Sequence, residues 1–135
     1  MNAARLTDVD MRDAPVNVLV VEDEVLIRID LSDEFRTAGF NVLDASNGDE
    51  ALVTLEATPD ISLVITDIRM PGRTDGIALA HWLRQHRPEV LVVLVSGHLG
   101  ATEMSPVAPD LVLQKPVNPA RLVKKAREML EMKTR

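Results

Sequence analysis

The chain contains no cysteine. Disulfides, thiolate zinc sites and thiol nucleophiles are therefore excluded, and the absence fits a cytoplasmic protein. Aromatic residues are almost missing: 2% of the sequence, with one Trp, two Phe and no Tyr. Any core must be built from Val, Leu, Ile, Ala and Met. No apolar run is long enough to span a membrane. The first residues, Met1 to Ala14, are polar and mixed in charge and lack the apolar middle of a signal peptide. Positive charge is in the minority, with a formal net charge of −6, which argues against nucleic acid as a direct partner. We expect neither a membrane nor a nucleic-acid partner.

What is present suits one globular domain. There are 135 residues, 46% apolar and 27% charged, enough to bury a proper core. We expect a flexible N-terminal tail over residues 1–14, a single domain over 15–132 and a short C-terminal tail over 133–135, without a linker or repeat.

Two patterns alternate along the domain. Apolar runs at Val16–Val21, Leu63–Thr66, Val90–Val95 and Leu111–Leu113, with a weaker one at Asn41–Ala45, read as strands of a parallel sheet buried on both faces. Helical spacing fills the gaps. Ile27, Leu31, Phe35 and Ala38 share one face, followed by Gly39 as a stop. Ala51, Leu52 and Leu55 mark a second helix, capped by Ser46 or Asn47. Ile77, Ala80 and Leu83 mark a third, ending before Pro88. Leu122, Ala126 and Leu130 mark the last, with Asn118 as cap and Pro119 in the first turn. Alternation of this kind predicts an α/β three-layer sandwich.

In such sheets ligands sit beyond the carboxyl ends of the strands. Those ends carry Glu22-Asp23-Glu24, Asp67, Ser96-Gly97 and Gln114-Lys115-Pro116. Three carboxylates close together repel one another, and a hard divalent cation such as Mg²⁺, which takes oxygen ligands, relieves that repulsion. Such a site suits phosphoryl transfer. The metal and Lys115 would neutralise phosphoryl oxygens, Ser96 would donate a hydrogen bond to one of them, and one carboxylate would remain as nucleophile. Asp67 fits that role best: it ends the central strand and precedes a turn containing Pro71 and Gly72. Each residue alone has an ordinary reading: Glu22 and Asp23 as helix-capping acids, Asp67 as a loop acid, Ser96-Gly97 as a turn, Lys115 as a solvated lysine. Their convergence at four strand ends carries the argument.

The segments Val20-Val21-Glu22-Asp23-Glu24, Ile65 to Gly72, Val95-Ser96-Gly97 and Lys115-Pro116 together resemble the receiver domain of two-component response regulators, over about Val16 to Leu130. The resemblance implies a flavodoxin-like five-stranded parallel sheet in the order 2-1-3-4-5. It implies Asp67 as phosphoacceptor and Mg²⁺ held by Asp23, Asp67 and the backbone carbonyl of Arg69, with Glu22 acting through metal-bound water. It implies that Ser96 and Lys115 bind the phosphoryl group, that Gly97 leaves room for it, and that the bond before Pro116 is cis. The donor would be a sensor histidine kinase or a histidine phosphotransfer protein, and the output an unknown protein target of a stand-alone receiver. The alternatives are a receiver-fold binding module that is never phosphorylated and a phosphate sink in a relay. A phosphoesterase is disfavoured, because Arg69 stands where a second acid would assist a leaving group. So is a flavin protein, because Glu22-Asp23-Glu24 would repel a phosphate.

Two departures from the family pattern stand out. The aromatic residue usual three positions before the lysine is Val112, so the familiar ring switch cannot operate in that form. Between the fourth and fifth strands, Gly97, Gly100, Pro106 and Pro109 oppose a full helix. We expect at most a short helix around Leu99–Met104 or a mobile loop. His98 and Arg69 are candidates for tuning phosphoryl lifetime. His81 and His86 match no metal-ligand spacing, and Trp82 reads as a packing residue.

Overall fold

The computed structural model describes residues 14–97 and 108–134. Five strands form one parallel sheet: β1 (Asn17–Val21), β2 (Asn41–Ala45), β3 (Ile61–Asp67), β4 (Leu91–Ser96) and β5 (Leu111–Gln114). Their order is β2-β1-β3-β4-β5, the order the resemblance implies. Four helices are described: α1 (Val25–Thr37), α2 (Gly48–Ala57), α3 (Gly76–His86) and α4 (Pro119–Thr134). The expected short helix or loop around Leu99–Met104 lies outside the described residues, as does His98. The last helix runs on to Thr134, through residues expected to form a tail.

Alternation along each strand sends successive side chains to opposite faces of the sheet. Leu19, Val21, Val64, Val92 and Leu94 meet Ala51 and Leu55 of α2 and Leu79, Ala80 and Leu83 of α3. Val18, Val20, Leu63, Ile65, Val93 and Val95 meet Leu31 and Phe35 of α1 and Leu122, Val123 and Ala126 of α4. The sheet is thus covered on both faces, which explains why its strands read as nearly unbroken aliphatic runs. The weak Asn41–Ala45 run is the edge strand β2, where only Ala45 is buried.

The caps follow the sequence closely. Asn47 accepts from Glu50 N at 2.8 Å, Asp75 accepts from Ala78 N at 2.9 Å, and Asn118 accepts from Arg121 N at 3.1 Å. Ser46, the other candidate cap of α2, instead hydrogen-bonds the Glu50 side chain. After α1 the chain turns through Gly39 at φ 98°, a left-handed conformation that glycine adopts without steric cost. The two scarce phenylalanines close that end of the core: Phe35 and Phe40 pack edge to face, 5.3 Å between centroids. Arg127 of α4 covers Phe40 and donates to the Ala38 carbonyl at 2.6 Å.

The register levels the strand ends. Val21 stands beside Thr66, Asp67 beside Val95, and Ser96 beside Gln114. Glu22, Asp67, Ser96 and Lys115 therefore leave the sheet at one edge.

Candidate functional site

Each side chain at this edge is held by the backbone that delivers it. Glu22 continues the β1 ladder, its N–H donating to the Ala45 carbonyl at 3.0 Å. Its side chain turns inward and is 4% exposed. One carboxylate oxygen accepts the Glu24 N–H at 3.0 Å, just ahead of α1. The Glu22 carbonyl accepts from Arg28 at 2.8 Å. Asp23, the next residue, is exposed. Asp67 ends β3 and is 8% exposed; its Oδ1 lies 3.4 Å from the Arg69 N–H, a long contact.

Lys115 ties the two buried acids together. Its Nζ donates to Asp67 Oδ2 at 2.8 Å and to Glu22 Oε1 at 3.1 Å. The lysine is itself fixed by its N–H, which donates to the Ser96 carbonyl at 2.8 Å, and the Lys115–Pro116 bond is cis. A recess of about 220 Å³ lies against this group, lined by Asp67, Ile68, Arg69, Ser96, Gly97 and Lys115. Ser96 is buried there, 3% exposed. Among the described residues other than its chain neighbours, no atom lies within 4 Å of where a Cβ on Gly97 would stand.

Glu22, Asp23 and Asp67 each offer a carboxylate oxygen within 4.8 Å of the others. Of these three carboxylates, Glu22 and Asp67 share the Lys115 ammonium, so acids outnumber the lysine that binds them and positive charge is in deficit within this group. Its oxygen-only donors and that charge deficit fit one hard divalent cation with few protein ligands. The electrostatics register the crowding. Burial pushes the Glu22 carboxyl above its ordinary range. The Glu24 N–H and Lys115 counter this, while Asp23 and the Asp67 charge add to it. Burial alone would lower the Lys115 ammonium, but its bonds to Asp67 and Glu22 and their charges outweigh that and raise it.

The structure brings together Glu22, Asp23, Asp67, Ser96 and Lys115, all named from the sequence, and sets the Arg69 backbone at the rim. The Arg69 side chain is exposed. Glu22 accepts the N–H of Glu24, the residue just before α1, which is not one of the helix's own open N–H groups, so its ordinary reading as a helix-capping acid is not what the structure shows. Val112 is half-buried against the α2–α3 face. His81 is exposed; His86 stacks on Trp82 with centroids 4.7 Å apart and bonds its carbonyl through Nδ1 at 3.0 Å, a contact within α3.

Three residues that sequence reasoning passed over shape the site. Arg28 braces Glu22. Gly76 opens α3 so close to the end of β3 that a Cβ there would stand 2.0 Å from the Asp67 carbonyl oxygen. Asp49 of α2 hydrogen-bonds Thr74 in the loop after Asp67 at 2.7 Å. A glycine at a helix start was the one available signal. The other two are exposed-type residues on periodic helices, where nothing local marks a role.

A sequence model of the response regulator receiver domain family matches residues 18–127. The chain belongs to this family. Among its relatives is the aerobic respiration control protein ArcA of Escherichia coli K12, 34% identical over 116 residues, covering 84% of this chain and 48% of ArcA. The chain thus spans about half the length of that regulator, so ArcA's whole activity does not transfer with the match. A receiver domain protein from Methanospirillum hungatei, described as CheY-like, superposes with a TM-score of 0.84 at 24% identity, covering 90% of this chain and 98% of that one. The CheX–CheY–BeF3–Mg²⁺ complex of Borrelia burgdorferi matches with a TM-score of 0.77 at 26% identity, covering 86% and 90%. Receiver domains are signalling modules of two-component systems rather than conventional enzymes. No helix among the described residues of this receiver is long and apolar enough to cross a membrane.

Proposed function

We propose that this receiver accepts a phosphoryl group on Asp67 from a phosphohistidine of a sensor kinase or phosphotransfer protein in the cytoplasm, and signals through contact with a protein target. The observation that supports this best is the convergence of Asp67, Ser96 and Lys115 on one recess beside the Glu22–Asp23–Asp67 cluster.

In the transfer, an Asp67 carboxylate oxygen attacks phosphorus as the bond to the donor imidazole nitrogen breaks, and the imidazole keeps the electron pair. Glu22, Asp23, Asp67 and the Arg69 carbonyl would hold Mg²⁺, which would offset charge on the phosphoryl oxygens. Lys115 already lies 2.8 Å from the acceptor and would follow the charge onto a phosphoryl oxygen. Ser96 would donate its hydroxyl to another. The Borrelia structure, a CheX–CheY complex with Mg²⁺ and beryllofluoride, a stand-in for a phosphoryl group, supports Mg²⁺-assisted phosphoryl chemistry on a chain of this fold.

Incubation with acetyl phosphate, with and without Mg²⁺, tests the proposal. The expected product is one acid-stable, base-labile phosphoryl adduct that requires Mg²⁺ and is lost in Asp67→Asn. Failure to form the adduct, together with failure to bind beryllofluoride, would leave the receiver-fold binding module as the better description.

A further inference from the structure

The loop 68–75 leaves the sheet at Asp67 and returns to it. The Ile68 N–H donates to the Val95 carbonyl at 3.0 Å, and the Gly76 N–H donates to the Ile68 carbonyl at 2.9 Å. Ile68 and Met70 are buried in the core on the α2–α3 side. Core packing therefore fixes both ends and the inner flank. The outer half has no such anchor, since Pro71, Gly72, Arg73 and Asp75 are exposed.

Asp49, in the first turn of α2, holds that outer half. Its Oδ1 accepts from Thr74 Oγ1 at 2.7 Å, and its Oδ2 lies 3.4 Å from the Arg73 N–H. The backbones are in contact as well: a Cβ on Gly48 would stand 2.1 Å from the Thr74 carbonyl oxygen. Gly72 adopts φ 103°, and a Cβ there would stand 3.2 Å from Asp49 Oδ2. Asp49 is not needed as a helix cap, because Asn47 accepts the Glu50 N–H and Ser46 engages the Glu50 side chain. The α2 N-terminus favours a carboxylate at this position, and both Asp49 oxygens face the loop.

We propose that Asp49 is a positioning residue of the phosphoacceptor site, which through Thr74 holds the loop that carries Arg69, whose N–H lies 3.4 Å from Asp67 Oδ1, against the acid cluster. The inference rests on the reading that this cluster takes Mg²⁺. Removal of a single hydrogen bond of this kind predicts a roughly three- to tenfold loss of Mg²⁺ affinity.

The test is an NMR-followed titration of the full chain with Mg²⁺ alone, for wild type, Asp49→Ala, Thr74→Val, Thr74→Ser, the Asp49→Ala/Thr74→Val double variant and Ser46→Ala. Asp49→Ala and Thr74→Val should each weaken binding by that factor. The double variant should be no more than about twofold weaker than either, because the two act as one pair. Thr74→Ser, which keeps the hydroxyl, should bind like wild type. Ser46→Ala removes a hydrogen bond at the same helix start without touching the loop and should also bind like wild type. In phosphorylation by acetyl phosphate, the half-saturating Mg²⁺ concentration should shift while the rate at saturating Mg²⁺ stays within about twofold. Unchanged affinity in Asp49→Ala and Thr74→Val, an equal loss in Ser46→Ala, or a loss in Thr74→Ser would each overturn the proposal while leaving the acceptor reading intact. A wild-type chain that binds no Mg²⁺ would overturn both.

Discussion

Replacing Lys115 by Met tests the electrostatics of the site most directly. The ammonium bridges two buried acids, at 2.8 Å from Asp67 and 3.1 Å from Glu22. Met keeps most of the apolar stem and removes the charge. Two carboxylates, with side chains 10% and 4% exposed, would then face each other and Asp23 with no cation between them. Removing one partner of a fully buried pair costs about 3–5 kcal/mol. The Lys115 side chain is 23% exposed, so some of the interaction is screened, and we expect about 3 kcal/mol. For a domain of this size that corresponds to a Tm lower by about 10 °C. The Lys115 ammonium is raised by its partners; its contribution is complete below the ordinary lysine range and is lost only as pH rises through the raised value. Neutral pH therefore lies on the plateau. Acid should shrink the deficit, since protonation of Glu22, raised by burial, removes one repelling charge. Mg²⁺ should shrink it too, by supplying the missing positive charge. Calorimetric melts at neutral and mildly acidic pH, with and without Mg²⁺, make the measurement. A Tm within about 3 °C of wild type in metal-free neutral buffer, or a deficit indifferent to both acid and Mg²⁺, would refute the account.

Gly76→Ala should destabilise by about 3 kcal/mol, because the new Cβ would meet backbone, 2.0 Å from the Asp67 carbonyl oxygen and 2.7 Å from Ile68 Cα; denaturant titration measures this. Arg87→Ala should cost about 2 kcal/mol in the same assay, since this half-buried side chain donates to the Leu55, Thr58 and Pro59 carbonyls at 2.8, 3.2 and 2.8 Å and so closes the end of α2. Arg87→Lys should restore only part, because an ammonium cannot reproduce the fork. Glu50 is held below the ordinary carboxylate range, chiefly by the Ser46 hydroxyl. Its contribution is present above that range and fades as pH falls through the lowered value. An NMR titration should show the Glu50 carboxyl moving back up in Ser46→Ala, and an unmoved titration would count against the hydrogen bond.

Much of the fold and the cast of the site could be read from residue order alone. Aliphatic runs at β1, β3 and β4 announce strands covered on both faces, and Asn47 and Asn118 begin helices because their short side chains satisfy N–H groups that a helix leaves open; the Asp75 cap of α3, which works the same way, was not read from the sequence. Position at a strand end singled out Glu22, Asp67, Ser96 and Lys115, since a parallel sheet collects those ends at one edge. Periodicity, however, reports burial and local propensity, not distance between remote segments. Glu22 and Asp23 look alike in sequence; only the packed structure turns one inward and leaves the other exposed. Lys115 lies 48 residues from Asp67 and 93 from Glu22, and only the strand order beside β4 lets one ammonium reach both. Asp49 and Arg28 belong to helices whose patterns give them no role, and they acquire contacts at the sheet edge because α2 abuts the loop after Asp67 and α1 follows Glu22. Which residues meet at the sheet edge was therefore written in residue type and order, while the pairing of charges and the bracing of the loop arose from tertiary contact, which local pattern does not encode.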